Sequence, residues 1–204
     1  MTLSNKFSSS GVSAGRPRIF EIPLPIKVDF LTEVMRIRGV GVYLHWTVLL
    51  IAIIILLNVI RHPLTSLLGL MAYLGVLLIH ESGHLIAAQR MHCKVFSIEL
   101  YPIFGFCRFE TPWSRFDHCV IAWGGVIAQA LVAAPIVAYV SIFGYTRFET
   151  TNVVLVLLGF FSLSVAAFNI LPIPRLDGSI AWGIIPETFK RIRNGNRKSP
   201  SWKY

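Results

Sequence analysis

The chain has 204 residues, of which 54% are hydrophobic and only 14% are charged, and its 19 basic residues outnumber its 10 acidic residues. An average soluble domain has about 45–50% apolar and about 25% charged residues. This composition excludes a soluble enzyme, a disordered tail and a disulfide-stapled secreted module. We therefore expect an integral membrane protein.

Four apolar blocks are long enough to cross a bilayer as helices, for which about 20 residues suffice. These predicted spans are residues 42–60, 64–89, 119–143 and 152–171. Residues 179–189 are apolar but too few to cross, which predicts an interfacial or re-entrant helix. The expected fold is an all-α polytopic membrane protein with three parts. They are an N-terminal cytoplasmic or interfacial segment (1–41), a transmembrane core (42–189) and a basic cytoplasmic tail (190–204).

Basic residues are concentrated in three of the segments that flank these spans. Six Lys and Arg precede the first span, four lie between the second and third, and six follow residue 189, against one in each of the two remaining loops. Cytoplasmic loops carry the excess of basic residues, so both termini and the 91–118 connection are predicted to be cytoplasmic. This connection also alternates like a strand and has a turn at residues 102–105, which predicts a short membrane-associated β-hairpin.

The second predicted span contains His80-Glu81-Ser82-Gly83-His84. Residues four apart share a helix face, so the two imidazoles can reach one metal ion. This is the H-E-x-x-H arrangement, in which two histidines bind zinc and the glutamate is the general base. Burying three ionisable side chains in a membrane span is costly. A pair of histidines that only pack in the core is therefore the weaker interpretation.

A catalytic zinc site needs a third protein ligand and an open position. Asp177 is the acidic candidate, because it follows the fourth span in the sequence NILPIPRLDG, residues 169–178. The two prolines of this sequence interrupt the helix, and irregular backbone at membrane depth is tolerated where it lines a cavity. The fourth span runs toward the same face of the membrane as the histidines. We therefore expect His80, His84 and Asp177 to hold one Zn²⁺ per chain.

Together, these two motifs resemble the site-2 protease family of intramembrane zinc metalloproteases, whose pattern is H-E-x-x-H followed by N-x-x-P-x-P-x-L-D-G. The resemblance covers about residues 40–180. It implies that His80, His84 and Asp177 bind zinc and that Glu81 is the general base. It also implies that Asn169 helps to hold or polarise the scissile carbonyl. The expected protein is a minimal form of the family, without PDZ or CBS domains.

Two shorter segments are similar to other parts of the same family. Residues 124–129 are similar to its A-G-P-x-x-N segment, with Val126 in place of the proline and Gln129 in place of the asparagine. Residues 100–105 are similar to its membrane-associated hairpin. The resemblance thus implies that Gln129 and Gly105 bind substrate.

The implied function is hydrolysis of a peptide bond in or near a transmembrane segment of a membrane-protein substrate, in the inner membrane of a bacterium. One alternative is a catalytically silent relative that serves as a binding scaffold or chaperone for membrane proteins, although such a protein would be expected to lack the base or a ligand. A metal transporter is a third class, but it usually needs repeats or a chain of sites across the bilayer. The basic tail lacks the aromatic and basic groove pattern of nucleic-acid binding. The expected partners are therefore a substrate and the lipid bilayer.

Overall fold

The computed structural model describes residues 31–57 and 60–195. The elements in chain order are β1 (Leu31–Ile37), β2 (Val40–His45), α1 (Val48–Leu56), α2 (Pro63–Arg90), β3 (Val95–Leu100), β4 (Gly105–Phe109), α3 (Arg115–Phe143), α4 (Glu149–Leu155), a π-helical segment (Val156–Phe161), α5 (Ser162–Asn169), α6 (Gly178–Ala181) and α7 (Ile184–Gly195). Most of the predicted N-terminal segment and most of the predicted tail lie outside the described residues.

Among the described residues, three helices are long and apolar enough to cross a membrane: α2, α3 and the continuous helix Glu149–Asn169, which comprises α4, the π-helical segment and α5. Pro63 begins α2, where its missing N–H leaves no intrahelical bond unmade. Ser114 precedes α3 and its Oγ accepts the N–H of Asp117 at 3.1 Å, which caps the helix. These helices correspond to the second, third and fourth predicted spans, and they make the chain an integral membrane protein.

The first predicted span, 42–60, is not a continuous helix. Residues 42–45 belong to β2, and α1 has nine residues. A nine-residue helix is about 13 Å long, whereas the hydrocarbon core of a bilayer is about 30 Å thick. A short apolar run is compatible with a buried strand as well as with a helix. The sequence pattern therefore did not distinguish strand β2 from the helix that follows it. Four spans are therefore not confirmed within the part of the chain that the structure describes.

A four-stranded sheet with the order β1-β2-β3-β4 packs against α2. The outer pairs are antiparallel and the central pair β2–β3 is parallel. Val42 of β2, Ile98 of β3 and Leu85 of α2 are fully buried between the sheet and the helix. The predicted hairpin is confirmed as β3–β4. The structure is mostly helical, as expected, but β1 and β2 enlarge the hairpin into a four-stranded sheet, which the all-α expectation did not include. The boundary expected at residue 41 lies within β2.

Helices α2 and α3 lie close together at Gly83 and Gly124, where a Cβ on either residue would overlap the backbone of the other helix. After α5 the chain is irregular through the two prolines, as predicted. It then continues in α6 and α7, two short helices where one interfacial helix over 179–189 was expected. Because α7 extends to Gly195, the boundary expected at residue 190 falls inside this helix.

Candidate metal centre

The side chains of His80, His84 and Asp177 meet in the interior of the structure. The Nε2 atoms of His80 and His84 lie 2.9 Å and 3.2 Å from Asp177 Oδ2, and the two Nε2 atoms are 3.1 Å apart. Helix α2 carries both histidines on one face, and the irregular segment between α5 and α6 brings the aspartate to them. The structure thus brings together the three residues that the two motifs select.

These three side chains fit a zinc ion. Two imidazole nitrogens and one carboxylate oxygen are a usual donor set for catalytic Zn²⁺, and bonds of about 2.0–2.2 Å in tetrahedral geometry separate the donor atoms by about 3.3 Å. The observed separations of 2.9–3.2 Å are close to that value. A closed structural site would need a fourth protein ligand, and among the described residues the cluster has three members. The donor set would thus leave a fourth position on a bound zinc ion without a ligand from the described residues.

Helix α3 accepts a hydrogen bond from the Nδ1 atom of each imidazole, on the side of the ring opposite Nε2. His80 Nδ1–H donates to Gln129 Oε1 at 2.9 Å, and His84 Nδ1–H donates to the carbonyl oxygen of Ile121 at 2.8 Å. A carbonyl only accepts, so the Nδ1 atoms carry the protons and the Nε2 lone pairs point into the centre. Sequence reasoning missed both contacts. The Ile121 contact uses a backbone atom, for which the side-chain pattern offers no signal.

Gly125, also on helix α3, lies against the rings of His80 and His84. A Cβ on this residue would stand 2.5 Å from His84 Nε2 and 2.8 Å from His80 Nε2. Any larger residue would therefore occupy the space that faces the two donor atoms. By resemblance, the small-residue segment 124–129 was expected to bind substrate. In the structure its Gly125 and Gln129 lie against the two histidines.

Glu81 lies beside the histidines and against strand β4. Its side chain is 4% exposed, and Gly105 at the start of β4 contacts it. Two residues further along β4 is Cys107, a free thiol. Burial and the neighbouring charge of Glu81 raise the pKa of this thiol to about 12, so Cys107 is neutral at physiological pH. Glu81 and the strand at one end of the sheet are therefore neighbours.

Asn169 is engaged in its own helix. Its Nδ2–H donates to the carbonyl oxygen of Val165, one turn earlier, at 3.0 Å. The role expected for this residue at the scissile carbonyl requires that its side chain leave this bond. That role stays a prediction, whereas His80, Glu81, His84, Gly105, Gln129 and Asp177 are already arranged around one centre.

The sequence matches no protein-family model and no curated protein, whereas the structure is similar to solved structures. One of these is the site-2 protease from Methanocaldococcus jannaschii, at a TM-score of 0.63 and 19% sequence identity, over 78% of this chain and 73% of that chain. This likeness confirms the resemblance expected from the two motifs. The described part of the chain has the fold of a site-2 protease.

Proposed function

We propose that the chain is an intramembrane zinc metalloprotease, a hydrolase that cuts a peptide bond in or near a transmembrane segment of a membrane-protein substrate. One observation carries the proposal: two histidine nitrogens and one carboxylate oxygen converge beside a buried glutamate. The site-2 protease fold around this centre supports the same chemistry.

In this mechanism His80, His84 and Asp177 hold one Zn²⁺, and Gln129 and Ile121 keep the imidazoles in the metal-binding tautomer. When bound, zinc polarises a carbonyl and lowers the pKa of water toward neutrality. Glu81 accepts the proton of the attacking water and passes it to the leaving nitrogen as the C–N bond breaks. The immediate products are a carboxylic acid and an amine, and the acid proton then moves to the amine to give a carboxylate and an ammonium group. Glu81 has taken up and released one proton, so it ends the reaction in its starting state.

The centre is more open on the side of Asp177. Its side chain is 25% exposed, whereas the side chains of His80 and His84 are 9% and 8% exposed. We infer that water and the substrate backbone reach the reacting atoms from this side. On the buried side of the centre, α2 carries the two imidazoles and α3 accepts a hydrogen bond from each of them.

A helical substrate must unwind locally before it is cut, because its carbonyls are bonded within the helix. Strand β4 is at one end of the strand order and pairs with β3, so its other edge offers backbone groups to an extended peptide. A segment added there at Gly105 would lie next to Glu81. Gln129 Nε2 is buried and has no partner among the described residues, and together with Asn169 it is the amide donor proposed for the substrate carbonyls.

The proposed location is the inner membrane of a bacterium, with both termini in the cytoplasm. The distribution of basic residues supports this orientation, since the loops predicted to be outside contain one basic residue each. The expected partners are the lipid bilayer and a transmembrane substrate.

The decisive experiment compares membrane proteins from cells that carry the wild-type chain, Glu81→Gln or the matched control Glu149→Gln. Loss of a general base typically lowers the rate by about 10²–10⁴-fold, so at least one membrane protein should accumulate uncut with Glu81→Gln. The same protein should be cut normally with the control variant. Identical fragment patterns in all three strains would contradict the protease and favour a binding scaffold.

The zinc content of a variant shows whether activity is lost through the general base or through a metal ligand. Glu81→Gln leaves the three donor side chains in place and should retain zinc. Asp177→Asn should lose activity together with zinc, because an amide is a weaker ligand than a carboxylate. Zinc per purified chain, measured by elemental analysis, distinguishes the two variants.

A further inference from the structure

Asp177 lies on a segment that belongs to no helix or strand. This segment follows α5 and contains Pro172 and Pro174. In a continuous helix the carbonyl of Ile170 would accept the N–H of residue 174, but a proline has none. The break thus frees a carbonyl near the end of a membrane helix, where an unsatisfied polar group is costly.

An indole satisfies this carbonyl. Trp182 Nε1–H donates to the Ile170 carbonyl oxygen at 2.7 Å. Because Trp182 directly follows α6, this bond closes a loop of the chain, residues 170–182, that contains Asp177. Gly178 tightens the same loop, since a Cβ there would overlap the carbonyl oxygens of Ile170 and Leu171.

A second indole ties the loop to α3. Trp123 Nε1–H donates to the carbonyl oxygen of Ala181, the last residue of α6, at 3.0 Å. The rings of Trp123 and Trp182 also pack edge to face, with centroids 5.7 Å apart and planes at 78°. This arrangement is favourable for aromatic pairs. Trp123 stands on the same helix that supports His80 through Gln129 and His84 through Ile121.

We propose that Trp123 and Trp182 are positioning residues that hold Asp177 in register with the histidine pair. This inference rests on the proposed metal centre. Helix α3 supplies no metal ligand, yet it supports all three ligands: two through their imidazoles and the third through the paired indoles. Trp182 donates a hydrogen bond to the backbone of the loop that contains Asp177. Trp113, in contrast, is 92% exposed and is suited to anchor the chain at the membrane interface.

The test is the zinc affinity of the full chain in lipid nanodiscs, measured by competition with a chelator of known affinity. Trp182→Phe retains a ring and removes the N–H donor. Loss of an outer partner of a metal site typically weakens binding about 10–100-fold, so a loss of about tenfold is expected. The matched control, Trp113→Phe, should bind zinc like the wild type.

A double-mutant cycle with Asp177→Asn shows whether the indole acts through Asp177. If it does, Trp182→Phe should cause no further loss of zinc affinity once the carboxylate is absent. Zinc affinity is also measured for Trp123→Phe with and without Asp177→Asn. If one of the two tryptophan variants does not fold, the other still tests the proposal.

Three outcomes would overturn the proposal. Wild-type zinc affinity in Trp182→Phe and Trp123→Phe would show that the indoles do not position a ligand. An equal loss in the Asp177→Asn background would show a general effect on the fold. Wild-type affinity in Asp177→Asn alone would show that Asp177 is not a ligand, which also contradicts the metal centre on which the inference rests.

Discussion

Gly105 lies directly against Glu81, because a Cβ added to Gly105 would stand 2.5 Å from Glu81 Oε1 and 2.6 Å from its Cδ. Two elements far apart in the chain, the start of β4 and the middle of α2, thus meet at the proposed base. Glu81 is buried. A side chain at residue 105 would therefore displace the Glu81 side chain or β4.

Gly105→Ala should lower the rate of proteolysis while zinc content stays near the wild-type value. The added methyl group pushes the carboxylate or β4 out of place, and a displacement of about 1 Å in an active site can cost about 10²-fold in rate. Cleavage of the substrate found by proteomics is the measurement. Gly75→Ala, on α2, is the matched control, because a Cβ there would meet only Leu158 Cδ2 at 3.9 Å. Equal activity of the two variants would show that the contact is not required.

The purified chain should contain about one zinc ion, and the His80→Ala/His84→Ala double variant should contain almost none, because two of three protein ligands are gone. His62→Ala/His92→Ala is the matched control, since both of these histidines are exposed. Elemental analysis of the three proteins tests this expectation. Full zinc in the first variant would place the metal elsewhere.

Gln129→Leu should weaken zinc binding about 10–100-fold, as is typical for loss of the outer partner of a metal-bound histidine. Leucine removes the oxygen that accepts His80 Nδ1–H, whereas Gln129→Glu retains an acceptor and should restore most of the affinity. Chelator competition measures both variants. If leucine and glutamate weaken binding equally, the hydrogen bond is not the cause, and packing at this fully buried position is.

The loops at residues 60–64 and 144–148 should face the same side of the membrane, outside the cytoplasm. The hydroxyls of Thr65 and Thr150 bond at 2.7 Å, which brings these ends of α2 and α4 together. In a background without the native cysteines, Leu64→Cys and Phe148→Cys should react with an impermeant maleimide in intact cells. Lys94→Cys, in the 91–118 connection, should react only after lysis. Reaction of Leu64→Cys or Phe148→Cys only after lysis would contradict the predicted orientation.

Several parts of the centre were predictable because their signals are local. His80 and His84 share a helix face by spacing alone, and the prolines before Asp177 mark the end of a span. The parallel pairing of β2 with β3 was not predictable in this way. Residues 41–44 pair with residues 97–100, and an apolar run does not show whether such a distant partner exists. The start of the first predicted span was therefore assigned to a helix instead of a strand.

The sequence by itself determined a membrane protein, three of whose four predicted spans are helices in the structure, with a pair of histidines beside a glutamate and an aspartate at a helix break. Composition, the length of the apolar runs and the four-residue spacing of the two histidines carry this information. Only the tertiary structure decided how these groups meet. The contacts of His84 with Ile121, of His80 with Gln129 and of His80 with Asp177 join residues 37, 49 and 97 positions apart. Contacts between residues so far apart in the sequence depend on how whole helices pack, and no local sequence pattern specifies that packing.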